Sequence, residues 1–472
     1  MMRTDALRPG HPFWTRARDL PGPVLPWAVW AALTVGLILF IRQYSRNVPF
    51  WDDFELVPMM TGQEPVSLGW AWAQHNEHRP VLSRLILAGL SRWVANDFRT
   101  GRYFSAGLLS AAAASMLLLV RRLRGSTRAT DAVLPLSILT LGQGESLMIT
   151  FAMNLVLTAW IAYALIATVS LAGRRPGWAL ALRFGLLLVL LPLCGGSGLV
   201  MLPPLVLWLA GYVAWGWWSG REPGGGARAI GLGSLMACSA ITALYFSGYV
   251  QAAHPPPPSM AAAAFTLLEW LSLVICPNVP KYWFPAGLLL VVVLAATLLM
   301  LMLAGARAPG ERLRTLGLMA LILAMLCMAA AVGWSRSGLG PGTGLSTRYV
   351  TLAAPILCAL YVAWLTYGPP RARRLVHAGL LAAVCLALPA NIQSGRKYGA
   401  FVRACELRVE GSLKARVPAS ELVRRHSKYV NPNPARVSEC FRMLKAARFG
   451  SFASLNDDRL TASPAPPTAI RR

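Results

Sequence analysis

Residues 24–41 read VLPWAVWAALTVGLILFI, and residues 48–58 read VPFWDDFELVP. The first stretch is apolar and, with its flanks, reaches the roughly 20 residues that an α-helix needs to cross a bilayer. No small-residue cleavage site follows it, so we interpret it as a retained spanning helix rather than a secretory signal. The second stretch then emerges where this helix leaves the membrane, which predicts an acidic and aromatic segment at the membrane surface.

The composition extends this interpretation to the whole chain. Of its 472 residues, 56% are hydrophobic and only 14% are charged, and the mean hydropathy is +0.50. A soluble domain has about a quarter of its residues charged. We therefore expect an all-α polytopic membrane protein with about 11 transmembrane helices. The apolar runs are 24–42, 103–120, 129–142, 148–172, 178–194, 199–218, 229–250, 284–305, 313–334, 348–367 and 375–392.

The run 129–142 is shorter than the others and leads into the polar turn Gly142–Ser146. Fourteen helical residues extend only about 21 Å. Either this helix is buried among its neighbours, or its outer end stops below the lipid surface, where irregular backbone can line a cavity.

Charge gives the expected orientation. The net charge is +26, but the basic residues lie mostly in short clusters between apolar runs, which favours membrane topology over nucleic-acid binding. Nineteen Arg fall in segments assigned to the inner side, against three Lys and Arg in the short outer loops. This bias predicts a cytoplasmic N-terminus and, with an odd number of spans, a periplasmic C-terminus.

The predicted organisation has four parts, of which the second carries two large outer loops. They are a cytoplasmic N-terminal segment 1–23; a transmembrane catalytic unit 24–392 with a first periplasmic loop of interfacial helices at 43–102 and a second at 251–283; a small periplasmic segment 393–454; and a disordered tail 455–472.

Two further features bear on topology. Met260–Cys276 is apolar enough to be a twelfth span, but it contains Glu269 and is short, so we expect an amphipathic helix at the outer interface. Cys405 and Cys440 both lie on the outer side in this topology, where an oxidising compartment allows the hypothesis of a disulfide between them.

The segment 50–56 holds three carboxylates among aromatic and aliphatic residues. If it is helical, Asp52 and Glu55 are i,i+3 neighbours on one face, while Asp53 points about 100° away. Partial burial and like-charge crowding raise a carboxyl pKa towards the range useful for a general base. The alternative is structural, with Asp52 capping a helix and the other two carboxylates complementing its dipole.

The same loop continues through residues 74–80, which read QHNEHRP. His75 and His78 are spaced to share a metal, with Asp52 or Glu77 as a further ligand, although two His more often make ordinary hydrogen bonds. No cofactor is certain, and a divalent metal is left open.

Several cations near the outer rim could bind a phosphate. Arg79 and Arg84 follow the histidines and could form paired hydrogen bonds to phosphate oxygens, or contact lipid headgroups. Lys281 precedes an apolar run on the outer side, and the pair Arg348-Tyr349 begins another. Either cation could serve the same role or anchor the helix. Glu145, in the short polar turn, lies near membrane depth, where a charge is costly and commonly functional.

These motifs resemble the GT-C superfamily of membrane glycosyltransferases. The resemblance rests on the layout of the chain: a first span, a long outer loop that opens with Phe50-Trp51-Asp52-Asp53, interfacial helices and a many-span body. Poorly characterised bacterial members have an Asn-Glu-His-Arg stretch, matched by 76–79, a polar acidic turn, matched by 143–145, and an Arg-Tyr pair, matched by 348–349. The architectural likeness covers about residues 24–392, but the 142–146 turn lacks the aromatic residue expected there.

The resemblance implies a function. The donor would be a polyprenyl-phosphate sugar held by membrane lipid, and the acceptor a glycan, lipid or protein hydroxyl outside the bacterial inner membrane. Asp52 or Asp53 would accept the proton of the hydroxyl, with Asp52 slightly favoured, and the anomeric centre would invert. Arg79, Arg84 or Arg348 would stabilise the departing phosphate.

Other functions remain open at this point. A polysaccharide polymerase or ligase would also act on lipid-linked sugar at the outer face. A lipid-linked-sugar flippase or transporter would place polar groups near the bilayer midplane. A non-catalytic assembly factor is a further alternative.

Overall fold

A computed structural model describes residues 24–94, 96–172, 177–218 and 226–458. In this part of the chain the secondary structure is helical, without a β-strand. The predicted segment 1–23 and most of the predicted tail lie outside it. The first helices are α1 Leu25–Tyr44, α2 Val57–Met60, α3 Leu68–Trp72, α4 Val81–Trp93, α5 Arg99–Arg124, α6 Val133–Ile138, α7 Gly144–Met148, α8 Met153–Ser170, α9 Trp178–Leu190 and α10 Gly196–Val200.

The remaining helices complete the described part of the chain. They are α11 Leu202–Trp218, α12 Ala227–Phe246, α13 Met260–Ser272, α14 Trp283–Arg307, α15 Arg312–Arg336, α16 Arg348–Tyr367, α17 Pro370–Lys414, α18 Ala419–Val430 and α19 Pro434–Ala446.

Eight of these helices are long and apolar enough to cross a membrane: α1, α5, α8, α12, α14, α15, α16 and α17. The all-helical structure and these eight apolar helices are consistent with the predicted polytopic helical membrane protein. Two further predicted runs form the shorter apolar helices α9 and α11. α16 is the most enclosed of the eight, with 89% of its apolar window buried, so it lies at the centre of the bundle.

The run 129–142 does not form a continuous helix. It is divided into a 3₁₀ turn Ala129–Ala132, the six-residue helix α6 and a second 3₁₀ turn Leu141–Gln143. Most of its side chains are buried, in agreement with the first of the two predicted alternatives. Gly142 allows the close packing at its end, because a Cβ there would lie 2.5 Å from the amide nitrogen of Asn278 and 2.8 Å from the amide oxygen of Asn391.

Side-chain contacts divide the helix ends into two groups. At the first end, the segment after α1 contacts the starts of α5 and α8 and the second half of α17. The loop before α4 contacts α10, α12 and α15 at this same end. At the second end, Arg124 pairs with Asp131, and Asp131 accepts from Tyr361 at 2.5 Å. Arg314 donates to the Ala172 carbonyl at 2.6 Å at this same end. The sequence-predicted site residues lie at the first end.

Residues 260–276 form the 13-residue helix α13, which ends at Ser272. A helix of this length extends about 20 Å, too short to cross the membrane core. Glu269, the residue that argued against a span, is buried and accepts from the backbone N–H groups of Gly342 and Gly344 at 2.8 and 3.0 Å. Its charge is therefore satisfied by the 337–345 loop.

The C-terminal region differs from the prediction. α17 runs without interruption through the predicted boundary at 392/393, so this boundary does not separate two structural units. Residues 393–458 then fold with α18 and α19 around their own apolar residues, and we call them the C-terminal cap. The cap core consists of Val402, Leu413, Leu422, Val437, Phe441, Leu444 and Phe452.

Cys405 and Cys440 are both buried free thiols in the cap. The hypothesised disulfide is therefore absent. Cys440 instead donates its thiol hydrogen to the carbonyl of Phe54, with a distance of 3.6 Å between sulfur and oxygen. This contact, with the packing of Phe54 on Phe441 at 6.1 Å, docks the cap on the first outer loop.

Candidate functional site

The acidic segment forms a 3₁₀ helix, Trp51–Leu56, which we call the acidic turn. Residues three apart in a 3₁₀ helix eclipse one another, so Asp52 and Glu55 face the same side, as the sequence predicts. Both face His75: Asp52 Oδ1 lies 3.6 Å from its Nε2, and Glu55 Oε2 lies 3.8 Å from its Nδ1. The Asp52 side chain is 45% exposed, so it can meet a substrate.

His75 is held between the two carboxylates by a tight turn. Its backbone and that of His78 exchange hydrogen bonds of 2.8 and 2.9 Å, with Asn76 at φ +49° between them. The His75 ring packs edge-on against Phe151 at 5.0 Å. The two ring nitrogens of His75 therefore face Asp52 and Glu55 at distances longer than a hydrogen bond, while Nε2 lies 3.1 Å from the side-chain amide nitrogen of Asn76.

Asp53 points away from this surface into the protein. It is fully buried and accepts from the N–H of Phe151 at 2.9 Å and from Arg102 at 3.3 Å. Burial raises the pKa of Asp53 to about 6, although Arg102 and the Phe151 N–H partly oppose this change. An acceptor hydroxyl cannot reach a fully buried carboxylate, so the position of Asp53 suits an anchor rather than a base.

Arg102 also pairs with Glu406 of α17 at 2.9 Å, and all three side chains are 0% exposed. Glu406 in addition accepts from the N–H of Arg46 at 2.7 Å. This triad (Asp53, Arg102, Glu406) joins the acidic turn, α5 and the cap. Arg102 and Glu406 are not among the predicted site residues, and an unpaired Arg near the start of an apolar run was the one available signal.

Two of the cations predicted to hold phosphate do not face the site. Arg79 is buried and donates to the carbonyls of Tyr245, Trp72 and Ser247 at 2.9 to 3.0 Å. The prediction of a phosphate role is corrected for this residue, because its guanidinium is occupied by backbone oxygens.

Arg84 is likewise buried and donates to the carbonyls of Trp70 and Ala73 at 2.7 and 2.6 Å. Its guanidinium lies over the rings of Trp70 and Phe151 at 5.7 and 5.9 Å. Burial lowers the pKa of Arg84, against the opposing charge of Glu55. Arg84 therefore supports the loop behind His75, and its predicted phosphate role is also corrected.

Glu77 and His78 belong to a separate ionic cluster. Glu77 forms an ion pair with Arg336 and lies 3.4 Å from His254 Nε2 and 3.8 Å from His78 Nε2. Burial acts to raise the pKa of Glu77, but His78 and Arg336 outweigh it and lower this pKa to about 2. The cluster ties the loop before α4 to the loops after α12 and α15.

The glycine-rich turn 195–198 receives His78. The N–H of Gly196 donates to His78 Nδ1 at 3.1 Å, which places the ring proton on Nε2, towards Glu77. Burial lowers the pKa of His78 to about 4, although Glu77 raises it. His75 and His78 therefore have different partners, and the described residues contain no group of three or more His, Cys, Asp or Glu side chains placed to hold a metal ion.

Arg348 is the predicted cation that does face the site. Its side chain is 44% exposed, with Nε 3.8 Å from Glu145 Oε2 and the guanidinium 5.3 Å from the Tyr349 ring. It lies within the electrostatic field of Asp52 as well as of Glu145. Glu145 also accepts from the hydroxyl of Thr347 at 3.1 Å. Tyr349 is buried and supports Arg348 from below.

A cavity of about 380 Å³ opens beside Glu145. One stripe of α17 forms most of its wall and supplies Lys397, a cation that the sequence analysis did not single out. Phe401 at its edge packs on Phe50 at 6.1 Å, immediately before the acidic turn. The lining residues are Glu145, Asn278, Thr347, Ala390, Gln393, Ser394, Lys397, Tyr398 and Phe401.

The remaining predicted residue, Lys281, lies 5.5 Å from the ring of its neighbour Tyr282 and does not line the cavity. The cap instead contributes Arg436, whose Nε is 3.7 Å from Glu55 Oε1. Asp52, Glu55 and His75 thus form one group, which Arg436 joins from the cap. Glu145 and Lys397 line the cavity, and Arg348 lies beside Glu145 and within the electrostatic influence of Asp52.

No family model, curated protein or solved structure matches the chain.

Proposed function

We propose that this protein is a membrane glycosyltransferase of the GT-C type, which moves a sugar from a polyprenyl-phosphate donor to a hydroxyl outside the cytoplasmic membrane. One observation carries the proposal. A half-exposed carboxylate, Asp52, is backed by His75 and lies near the exposed cation Arg348 and a polar cavity, at the ends of apolar helices.

The two groups of helix ends support the proposed topology. If α9, α11 and the broken segment 129–143 each cross with the eight long helices, the chain passes between the two ends about 11 times. The second end then carries the Arg clusters of the predicted inner side, such as 121–128 and 371–374. The N-terminus is cytoplasmic in this proposal, and the site and the cap are periplasmic.

The cavity is suited to the polar part of the donor. Lys397 and Arg348 supply positive charge for a lipid phosphate, in place of the buried Arg79 and Arg84. Towards the membrane, α17 exposes Leu386, an apolar side chain along which a prenyl chain can lie. A lipid-borne phosphate therefore has a cationic opening at the surface and an apolar path below it.

The proposed reaction is a single displacement. Asp52 accepts the proton of the acceptor hydroxyl while the hydroxyl oxygen attacks the anomeric carbon. The bond from that carbon to the phosphate oxygen breaks, its electrons remain on the lipid phosphate, and Arg348 and Lys397 stabilise the added charge. The configuration at the anomeric carbon inverts, and Asp52, whose side chain is 45% exposed, releases the proton to solvent.

The distribution of charge favours a transferase over a flippase or transporter. α8 contains no Asp, Glu, Lys, Arg or His, and α14 and α16 carry such residues only near their ends. A transporter places its binding groups near the midplane, whereas the ionisable groups of the candidate site, Asp52, His75 and Glu145 among them, lie at the first end. A polymerase or ligase remains the closest alternative, because it uses the same class of donor.

The test compares Asp52→Asn with the parent chain in membranes given a panel of radiolabelled polyprenyl-phosphate hexoses and pentoses. Loss of the general base should lower transfer by about 100-fold or more. Asp97→Asn is the matched control, because Asp97 lies in the same outer loop but pairs with Arg99. Wild-type transfer by Asp52→Asn at equal abundance would refute the proposed mechanism.

A further inference from the structure

Apart from Lys397, the positive charge of the C-terminal cap is not used by the proposed reaction. Residues 393–458 contain 13 Lys and Arg but only six Asp and Glu. One of those acids, Glu406, is buried against Arg102 and contributes nothing to the surface. The solvent-facing surface of the cap is therefore strongly basic.

Part of this charge is gathered around one aromatic ring. The guanidinium of Arg408, from α17, lies 5.6 Å from the ring of Tyr429, and the ammonium of Lys428, from α18, lies 4.9 Å from it. Both cations are exposed and have no acidic partner among the described residues. Arg425, 53% exposed, is one turn away. We call Arg408, Arg425, Lys428 and Tyr429 the basic patch.

The acids near the basic patch do not neutralise it. Glu421 is shared by Arg424 and Arg425, whose Nε atoms lie 2.6 and 2.5 Å from its oxygens. Two guanidinium groups on one carboxylate leave a net positive charge. Burial and the charges of Arg425 and Arg408 also lower the pKa of His426, so this ring adds no cation at neutral pH.

The basic patch is continuous with the proposed active site. Asn431, three residues after Lys428, donates its side-chain N–H to the carbonyl of Trp51 at 3.1 Å. Trp51 is 42% exposed, has φ +53° and directly precedes Asp52. The hydrogen bond fixes the backbone of Trp51, and its exposed indole offers an apolar face to a sugar ring. A surface path thus leads from Asp52 over Trp51 to the patch.

The position of the patch along α17 favours a soluble partner over lipid. Arg408 follows residue 392, the predicted end of the last span, by 16 residues, which is about 24 Å along a helix. The headgroup layer on one side of a bilayer is only about 5 to 8 Å thick.

We propose that the basic patch binds an anionic glycan, a saccharide chain that carries carboxylate or phosphate groups, as the acceptor. The role of this glycan as the acceptor rests on the proposed function, whereas its binding to the basic patch does not depend on it. The fork of an Arg matches carboxylate and phosphate groups, and Tyr429 and Trp51 supply faces for the sugar rings. The terminal hydroxyl of the chain reaches Asp52 while preceding units lie on the patch.

The test measures binding of fluorescent hexameric oligogalacturonate and of neutral maltohexaose, by anisotropy, to the full chain in zwitterionic nanodiscs. We expect tighter binding of the anionic hexamer and weakening with added salt. The double variant Arg408→Gln/Lys428→Gln should weaken this binding about tenfold. The matched control is Arg371→Gln/Arg374→Gln, at the other end of the same helix, which should leave the affinity unchanged. Equal thermal unfolding of both variants and the parent verifies their folding.

Three outcomes would overturn the inference: equal binding of the two hexamers, unchanged affinity in the patch variant, or a patch variant that alters only the enrichment of labelled phosphatidylglycerol around the protein. The last outcome would assign the patch to lipid headgroups. Asp52→Asn should bind the anionic hexamer as tightly as the parent. If the parent chain transfers no sugar but still binds through the patch, the proposed function fails and the partner chemistry stands.

Discussion

Replacement of Arg102 by Leu tests how the acidic turn is anchored. Arg102 is 0% exposed and its Nη2 contacts Asp53 at 3.3 Å and Glu406 at 2.9 Å. Removing one partner of a buried ionic cluster costs about 3 to 5 kcal/mol, because the remaining charges stay buried without compensation. The Nε and Nη1 atoms of Arg102 have no hydrogen-bond partner among the described residues. We therefore expect the lower value, about 3 kcal/mol.

The effect should depend on pH with a defined sign. The folded-state pKa of Asp53 is already raised to about 6, above the usual value of 3.8, and loss of Arg102 raises it further. At low pH the carboxyls of Asp53 and Glu406 are protonated, so their burial costs little. The destabilisation by Arg102→Leu should therefore be small at about pH 5 and grow as the pH rises through the folded-state pKa.

The assay follows both global and local stability. The free energy of unfolding is measured by SDS titration in mixed micelles, and cap opening by the labelling rate of Cys440, which is 0% exposed. If the cap opens more easily by about 3 kcal/mol, the labelling rate rises by about 100-fold.

The triple variant Arg102→Leu/Asp53→Asn/Glu406→Gln should recover most of the stability, because it buries no charge. A loss below about 1 kcal/mol in Arg102→Leu, with unchanged Cys440 labelling, would refute the anchoring role of the triad.

Three further predictions address the surroundings of the site. His78 has a folded-state pKa of about 4, below the usual 6.5. Its contribution to stability is therefore present above about pH 6.5 and is lost as the pH falls towards 4. His78→Gln should flatten this acid dependence of the thermal unfolding temperature, and an unchanged slope would contradict the prediction. Gly196→Ala should destabilise the protein by about 1 to 2 kcal/mol, because the added Cβ would lie 2.9 Å from His78 Nδ1. Gly411→Ala, with open space around it, should instead stabilise the protein by about 0.5 to 1 kcal/mol. Changes of the same sign for both variants in chemical denaturation would be inconsistent with this packing. Lys397→Gln should lower the maximal rate of sugar transfer by about 100-fold, while Lys281→Gln leaves this rate unchanged. Equal rates in the two variants would show that Lys397 does not bind the phosphate.

The sequence was sufficient where local periodicity determines the structure. Apolar run length located the long helices, and i,i+3 spacing placed Asp52 and Glu55 on one face. The prediction that Asp53 points away from that face agrees with the structure, in which Asp53 is buried. These features depend on residues within one or two turns of one another, so the chain itself encodes them locally.

Long-range partners explain what the sequence could not show. Arg79 appeared available for phosphate, but it donates to carbonyls of Tyr245 and Ser247, about 170 residues away. Every residue carries a backbone carbonyl, so the sequence does not indicate which carbonyls will accept from a given Arg.

The continuation of α17 into the cap was not predicted, for a related reason. α17 carries polar residues after its apolar half, which read as the end of a span, although the helix continues to Lys414. Its stripe at the cavity, including Lys397 and Tyr398, becomes visible only when α17 packs beside the turn that holds Glu145.

The account depends on the acidic turn opening on the non-cytoplasmic face, where a lipid-linked sugar is presented. A cysteine is introduced in separate variants at Leu68, which is 86% exposed beyond the acidic turn, and at Arg371, which is exposed at the opposite end. Each variant is labelled with a membrane-impermeant maleimide in intact spheroplasts and compared with the parent chain. We predict that Leu68→Cys reacts in intact cells and that Arg371→Cys reacts only after permeabilisation. The reverse pattern would place Asp52 in the cytosol and contradict the proposed transfer from a polyprenyl-phosphate donor.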